Sequence, residues 1–149
     1  MILLSRRGYL AIAAVVDIAI HARPLPVAAK ALATRLKLPP RRLETLLQGL
    51  VRANILKGVR GPHGGYELAR ERRRITVASV LHAVASAGAG DPGAVTDCRL
   101  VEQVVVPLVE AAGKAFLDEL ETITIDDICR RAEDLKLGEE KGPGSDFAI

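Results

Sequence analysis

The chain has 149 residues, 49% of them hydrophobic and 26% charged, long enough to bury about two thirds of its unfolded surface as one domain without a disulfide or metal to hold it together. Its net charge of +3 hides an asymmetry: residues 1–74 carry 15 Lys and Arg against four acids (+11), and residues 75–149 carry six against 14 (−8), so that the first half attracts polyanions and the second stays off them. Two cysteines, Cys98 and Cys129, without a C-x-x-C spacing, suggest neither a disulfide framework nor a zinc site and suit a reducing compartment.

Ser5-Arg6-Arg7-Gly8-Tyr9-Leu10 ahead of an apolar stretch has the outline of a twin-arginine export signal. Asp17 interrupts the would-be signal core and no polar cleavage region follows, so the expectation is a cytoplasmic protein. The longest apolar run, Leu10 to Val16, is far short of the ~20 residues of a membrane span, and no membrane partner is expected. The spacing predicts a first helix over 5–22, with Ile12, Val15, Val16, Ala19 and Ile20 on its buried side. Pro24 and Pro26 separate it from a second helix, from about Val27 to Leu36, in which Ala28, Leu32 and Leu36 step by four. Lys37-Leu38-Pro39 is a short turn, and Pro40 suits the first position of a third helix, where its missing N–H costs nothing.

That third helix has the clearest period in the chain. Leu43, Leu46, Leu47 and Leu50 fall at i, i+3, i+4 and i+7, leaving Arg41, Thr45, Gln48 and Arg52 on the other side with Arg42 and Glu44 flanking them. Two helices joined so tightly form a helix-turn-helix, whose second helix is free to enter a groove. Short strands follow, Ile55 to Arg60 and Tyr66 to Ala69, around the turn Gly61-Pro62-His63-Gly64-Gly65. Glycine and proline are turn chemistry, so a β-hairpin, a wing, is appended to the helix-turn-helix. A fourth helix starts at a Thr76 cap with Ile75 and Val80 as its staple. Residues 86–99 read as a loop. From about Leu100 to Leu120, Val101, Val105, Leu108, Ala112 and Ala115 form a coiled-coil-like seam, with Val106, Val109, Phe116 and Leu120 as a second stripe. Pro107 inside this stretch either kinks the helix or marks its start. Thr124 and Asp127 make a capping box, with Ile123 and Ile128 as its staple, for a last helix over 125–137, and 138–149 is a charged tail expected to be disordered.

Arg, Gln, Glu and Thr are the side chains that read base edges in a major groove, and the third helix exposes all four. Arg6, Arg7, Lys30, Lys57 and the Arg72 to Arg74 run suit phosphate contacts, which position without reading sequence. Arg60 beside the glycine turn suits a narrow minor groove. His21, His63 and His82 fall in different elements with no catalytic motif around them, and the glycine turn lacks the Lys-Ser/Thr of a phosphate-binding loop; no enzyme is expected, and His63 at the wing tip is a candidate DNA contact.

These residues resemble the IscR-like, or Rrf-two type, winged-helix regulators. The resemblance runs from Ser5-Arg6-Arg7-Gly8-Tyr9 through Leu43-Glu44 and the wing Val59-Arg60-Gly61-Pro62-His63-Gly64-Gly65-Tyr66 to Ile123-Thr124-Ile125, and the wing string is its most specific part. It implies a homodimer on an imperfect palindrome, each recognition helix in a major groove and each wing in the adjacent minor groove. On that mapping Glu44 contacts bases, Arg60 is the wing arginine, and Ser5 and Arg6 lie near the backbone. Cluster-bearing members carry three closely spaced cysteines in the loop before the long helix, where this chain has only Cys98. One thiolate is a poor basis for a [2Fe–2S] centre, so no iron-sulfur cofactor and no metal is expected. Other members sense thiol oxidation or answer to partner proteins. Cys98 between Asp97 and Arg99 is therefore a candidate redox thiol, against the plainer reading of an inert cysteine, and a regulatory protein or small effector is an expected partner.

The whole reads as a mainly α protein with a small β-hairpin: a winged helix-turn-helix over 1–85, a loop over 86–99, a dimerisation helix and final helix over 100–137, and a tail over 138–149. The expected function is sequence-specific binding of double-stranded DNA as a homodimeric repressor. The expected contact set is Ser5, Arg6, Arg41, Arg42, Glu44, Thr45, Gln48, Arg60, His63, Gly64 and Gly65. The alternative is a winged-helix protein-interaction module without DNA binding, which would have little use for a basic third-helix face beside an intact wing.

Overall fold

A computed structural model describes residues 6–87, 103–104 and 106–135. Ser5, Cys98, most of the predicted loop, Val101, Val105 and the predicted tail lie outside the described residues.

α1 (Arg6–His21) buries Gly8, Ala11, Ala14, Val15, Ile18 and Ala19. The predicted buried side was rotated from this one. Val15 and Ala19 are on the buried face, but Ile12, Val16 and Ile20 only flank the core. α1 is apolar nearly all round, so size alone misleads about its face. The buried side is built mostly from small residues, which let helix axes approach closely, and α4 is the helix packed most extensively on α1.

α2 (Ala29–Leu36) begins two residues later than expected because Val27 pairs with the wing: Val27 N–H donates to Tyr66 O at 2.9 Å and Tyr66 N–H to Val27 O at 2.8 Å. Ala28 is consequently an exposed N-cap instead of a core residue. Lys37, in the left-handed region at φ 53°, ends α2, and Pro39 and Pro40 start α3 (Pro40–Arg52). Leu43, Leu46, Leu47 and Leu50 are all buried, as their period requires. The second and first helices are further tied by Asp17, whose carboxylate accepts from Arg35 Nε and Nη2 of α2, both at 2.8 Å, bracing the helix-turn-helix against α1.

The hairpin is β1 (Leu56–Val59) and β2 (Gly65–Leu68), antiparallel with Leu56 opposite Leu68 and Val59 opposite Gly65. A short 3-10 turn, Arg72–Arg74, leads to α4 (Val77–Ala87). Thr76 caps α4 as expected: Ser79 N–H donates to Thr76 Oγ1 at 3.1 Å and Thr76 N–H to Ser79 Oγ at 3.2 Å. Ile75 and Val80 are both fully buried.

The regular part of the long helix, α5 (Val106–Glu121), has Pro107 in its first turn, where no intrahelical N–H is required. α6 (Ile125–Asp134) carries the full capping box: Asp127 N–H donates to Thr124 Oγ1 at 3.1 Å and Thr124 N–H to Asp127 Oδ2 at 2.9 Å. α6 packs on α1 and on the 3-10 turn, so the acidic half of the chain folds back onto the far side of the basic half.

Candidate nucleic-acid interface

The four buried leucines of α3 clamp one side of that helix to the core and leave the other in solvent. Arg41, Arg42, Glu44, Thr45, Gln48 and Arg52 are all exposed. Thr45 Oγ1 donates back to Arg41 O at 3.2 Å, while the Glu44 carboxylate makes no hydrogen bond or ion pair among the described residues and is available to an outside donor. The start of α1 lies beside this face: Arg6, Arg7, Leu10, Arg42, Thr45 and Leu46 line a groove of about 350 Å³. Within it Arg7 Nε and Nη2 are buried with no hydrogen-bond partner. These two atoms form the edge of a guanidinium that grips an oxyanion bidentately, and burying them unpaired is costly.

The wing follows α3 in the chain. Arg60, Gly61, Pro62 and His63 are exposed at its tip. Gly61 has φ 119°, a conformation that side-chain-bearing residues rarely adopt, and Gly64 N–H closes the turn onto Gly61 O at 2.9 Å. Gly64 and Gly65 are half-buried, and what the fold demands of them is close backbone approach: a methyl group at Gly64 would overlap the Val59 carbonyl, and one at Gly65 the Val27 carbonyl. Between wing and helix-turn-helix, a second groove of about 540 Å³ is lined by Lys30 and Thr34 of α2, Glu44 of α3 and Tyr66 of β2 among others.

Of the arginine run behind the wing, Arg73 and Arg74 are exposed, but Arg72 does not join the phosphate-facing row that the sequence suggests. Arg72 turns inward, its Nε 2.7 Å from Asp126 Oδ1 and its Nη1 3.5 Å from Glu133 Oε1, because α6 brings its carboxylates across from far along the chain. Arg70 Nε donates to Asn54 O at 3.1 Å, and Arg73 pairs loosely with Glu71 at 3.9 Å. Lys57 is paired across the hairpin with Glu67 at 3.0 Å, though both remain in reach of solvent. The structure therefore brings Arg6 and Arg7 beside Arg42 of α3, leaves Arg41 and Arg60 exposed and withdraws Arg72. No local pattern announced the Asp17–Arg35 and Arg72–Asp126 pairs, since their partners are far apart in the chain.

His21 Nδ1–H donates to Asp17 O at 2.9 Å, while His63 and His82 are exposed in separate elements. No cluster of three or more metal-ligating side chains occurs among the described residues. Cys129 is fully buried in the core. Burial pushes its thiol pKa up, although the Arg72 guanidinium beside it pulls the other way, so the thiol stays protonated. A [2Fe–2S] centre takes deprotonated thiolates. Among the described residues, Cys129 sealed in this way is not a donor that fits such a centre.

Comparison with known proteins bears on this arrangement. The family profile described as "Rrf2: Iron-dependent Transcriptional regulator" matches residues 4–131. An HTH-type transcriptional regulator IscR of Xenorhabdus nematophila is 37% identical over 81 residues, 54% of this chain and 49% of that protein; the chain thus spans about half the length of the first curated relatives it matches. An HTH-type regulator of Synechocystis, slr0846, is 29% identical over 98% of this chain and 99% of its own. Among solved structures, T. potens IscR superposes with a TM-score of 0.71 at 29% identity, covering 97% of this chain and 95% of that one. The matched relatives are regulators of transcription, not enzymes.

Proposed function

The chain belongs to the Rrf2 family of transcriptional regulators, and from that premise we propose that it binds a palindromic operator in double-stranded DNA as a homodimer and represses transcription in the cytoplasm. The observation that carries this reading is the α3 face: Arg41, Arg42, Glu44, Thr45 and Gln48 exposed together over a leucine ridge that cannot turn away, with Arg6 beside Arg42 and an exposed wing tip at Arg60–His63. Glu44, unpaired, is placed to accept from a cytosine amino group. Arg60 is the minor-groove candidate, with His63 beside it, and the Arg6–Arg7–Arg42 groove receives a backbone phosphate. Ser5 joins that contact on the strength of the family resemblance. Gly64 and Gly65 serve by letting the wing approach the DNA and its own anchor.

The dimer is formed through α5. Leu108 is 67% exposed, and Ala112 and Ala115, at the predicted seam positions, are exposed with it, an apolar stripe that a monomer leaves in water. The protein works without a typical [2Fe–2S] cluster, and a regulatory protein, a small effector or oxidation of Cys98 supplies the signal.

Binding to a duplex selected by the protein from a randomised pool tests the reading. Affinity should fall by roughly 10³ or more between 50 and 200 mM salt if six or more phosphates are contacted. Arg60→Ala should weaken binding, and Glu44→Ala should relax sequence preference by ~1–3 kcal/mol. Unchanged binding in both variants would reject this docking.

A further inference from the structure

The segment leaving the wing is joined to the α5–α6 turn at several points. Ile125 N–H donates to Ile75 O at 2.8 Å and Val77 N–H to Ile123 O at 2.9 Å, on either side of a bridge between Thr76 and Thr124. Thr76 Oγ1 donates to Glu121 Oε1, on the last residue of α5, at 3.3 Å. The key to the joint is Asp126, only 6% exposed, with Oδ1 held by Arg72 Nε at 2.7 Å and Oδ2 by Arg130 Nε at 2.9 Å. Arg70 meanwhile holds the Asn54 carbonyl at the end of α3. Two arginines at alternate positions thus clamp the base of the wing, one to the recognition helix and one to α6.

A buried ion pair adds little net stability, because desolvation offsets most of its Coulomb energy, but it strongly disfavours any arrangement in which the carboxylate is buried and the guanidinium gone. The Arg72–Asp126 pair is therefore better suited to fixing an angle than to holding the fold. The apolar stripe sits on α5 and the DNA-contacting side chains on α3 and the wing, and the mechanical route between them runs through α4 and through this joint. We propose that Arg72 and Asp126 are positioning residues that set the orientation of α3 and the wing relative to α5, and thereby the half-site separation that a dimer accepts. The proposal rests on the dimeric reading above. One added base pair displaces a half-site by roughly 3.4 Å and rotates it by about 34°, so a rigid joint selects one spacing and a loosened one tolerates several.

The experiment uses the full chain and the duplex selected by the wild-type protein, remade with one or two base pairs added to or removed from the centre. Wild type should favour one spacing by roughly tenfold or more. Arg72→Met and Asp126→Asn should reduce that preference to about threefold or less while binding an isolated half-site, and showing the same salt slope, as wild type does. Arg72→Lys keeps the charge but loses the Nε contact, and it should fall between; it decides the matter if Arg72→Met does not fold. Arg73→Ala is the control that leaves spacing selectivity intact. A wild-type spacing profile in Arg72→Lys and in every folded variant overturns the proposal and leaves the dimeric reading standing. A wild-type protein indifferent to spacing overturns that reading and the proposal with it.

Discussion

Gly65 illustrates how a residue can matter to DNA binding without touching DNA. Its backbone lies against the Val27–Ala28 peptide, where Val27 and Tyr66 exchange two hydrogen bonds and moor the wing to the α1–α2 connection. Gly65→Ala must break that mooring, and it is expected to cost about 1–3 kcal/mol and to weaken operator binding through wing displacement; a melting curve and a binding curve on the same variant check both. Cys129 is a second case. Its thiol is buried and its pKa raised chiefly by that burial, so it should react with a thiol reagent at pH 8 only after denaturant is added, a difference that timed labelling measures. The glycine turn and the bases of α3 were readable residue by residue, since φ preference and helical period are local. The inward turn of Arg72 was not, because arginine in a basic run gives no sign of its partner until a carboxylate arrives from α6.

Among the elements, those with sharp boundaries in the sequence kept them. α3 begins at its proline, which has no N–H to leave unpaired in a first turn, and α4 at Thr76 and α6 at Thr124, where a side chain accepts from a free N–H of the first turn. Thr124→Ala should cost about 0.5–2 kcal/mol in unfolding free energy, measurable by urea titration. The Asp127 carboxyl has a lowered pKa, held there first by the Thr124 N–H and then by the Thr124 side chain. A carboxyl depressed in the folded state stabilises above the ordinary carboxylate range and loses that contribution as pH falls through its folded value. The stability difference between wild type and Asp127→Asn should accordingly shrink on acidification. α1 and α2 were less legible. The alanine face of α1 is set by packing against elements that follow it in the chain, α4 above all, and α2 starts late because Val27 is taken by Tyr66 across the fold.

On the scale of the whole molecule, basic and acidic charge are separated. The basic half carries α3 and the wing, and the acidic half carries α5 and α6, with Leu108, Ala112 and Ala115 exposed on α5. If that stripe is the dimer seam, Leu108→Glu should shift sedimentation from dimer to monomer, and it should reduce operator affinity by far more than half-site affinity, because linked half-sites profit from effective concentration. A dimeric Leu108→Glu protein would place the seam elsewhere.

The amino-acid order by itself determined what short-range physics controls: the leucine period that buries one side of α3 and exposes its polar side, the proline and threonine starts of three helices, the glycine turn of the wing, and the division of charge between the halves. Those features need only neighbours within about one helical turn or one hairpin. Tertiary structure alone decided which arginines face outward, which side of α1 is inside, that Gly65 is an anchor point for the wing, and that the wing is keyed to α6 through Asp126. Each of these depends on a partner brought from far along the chain, and no local period records such a meeting.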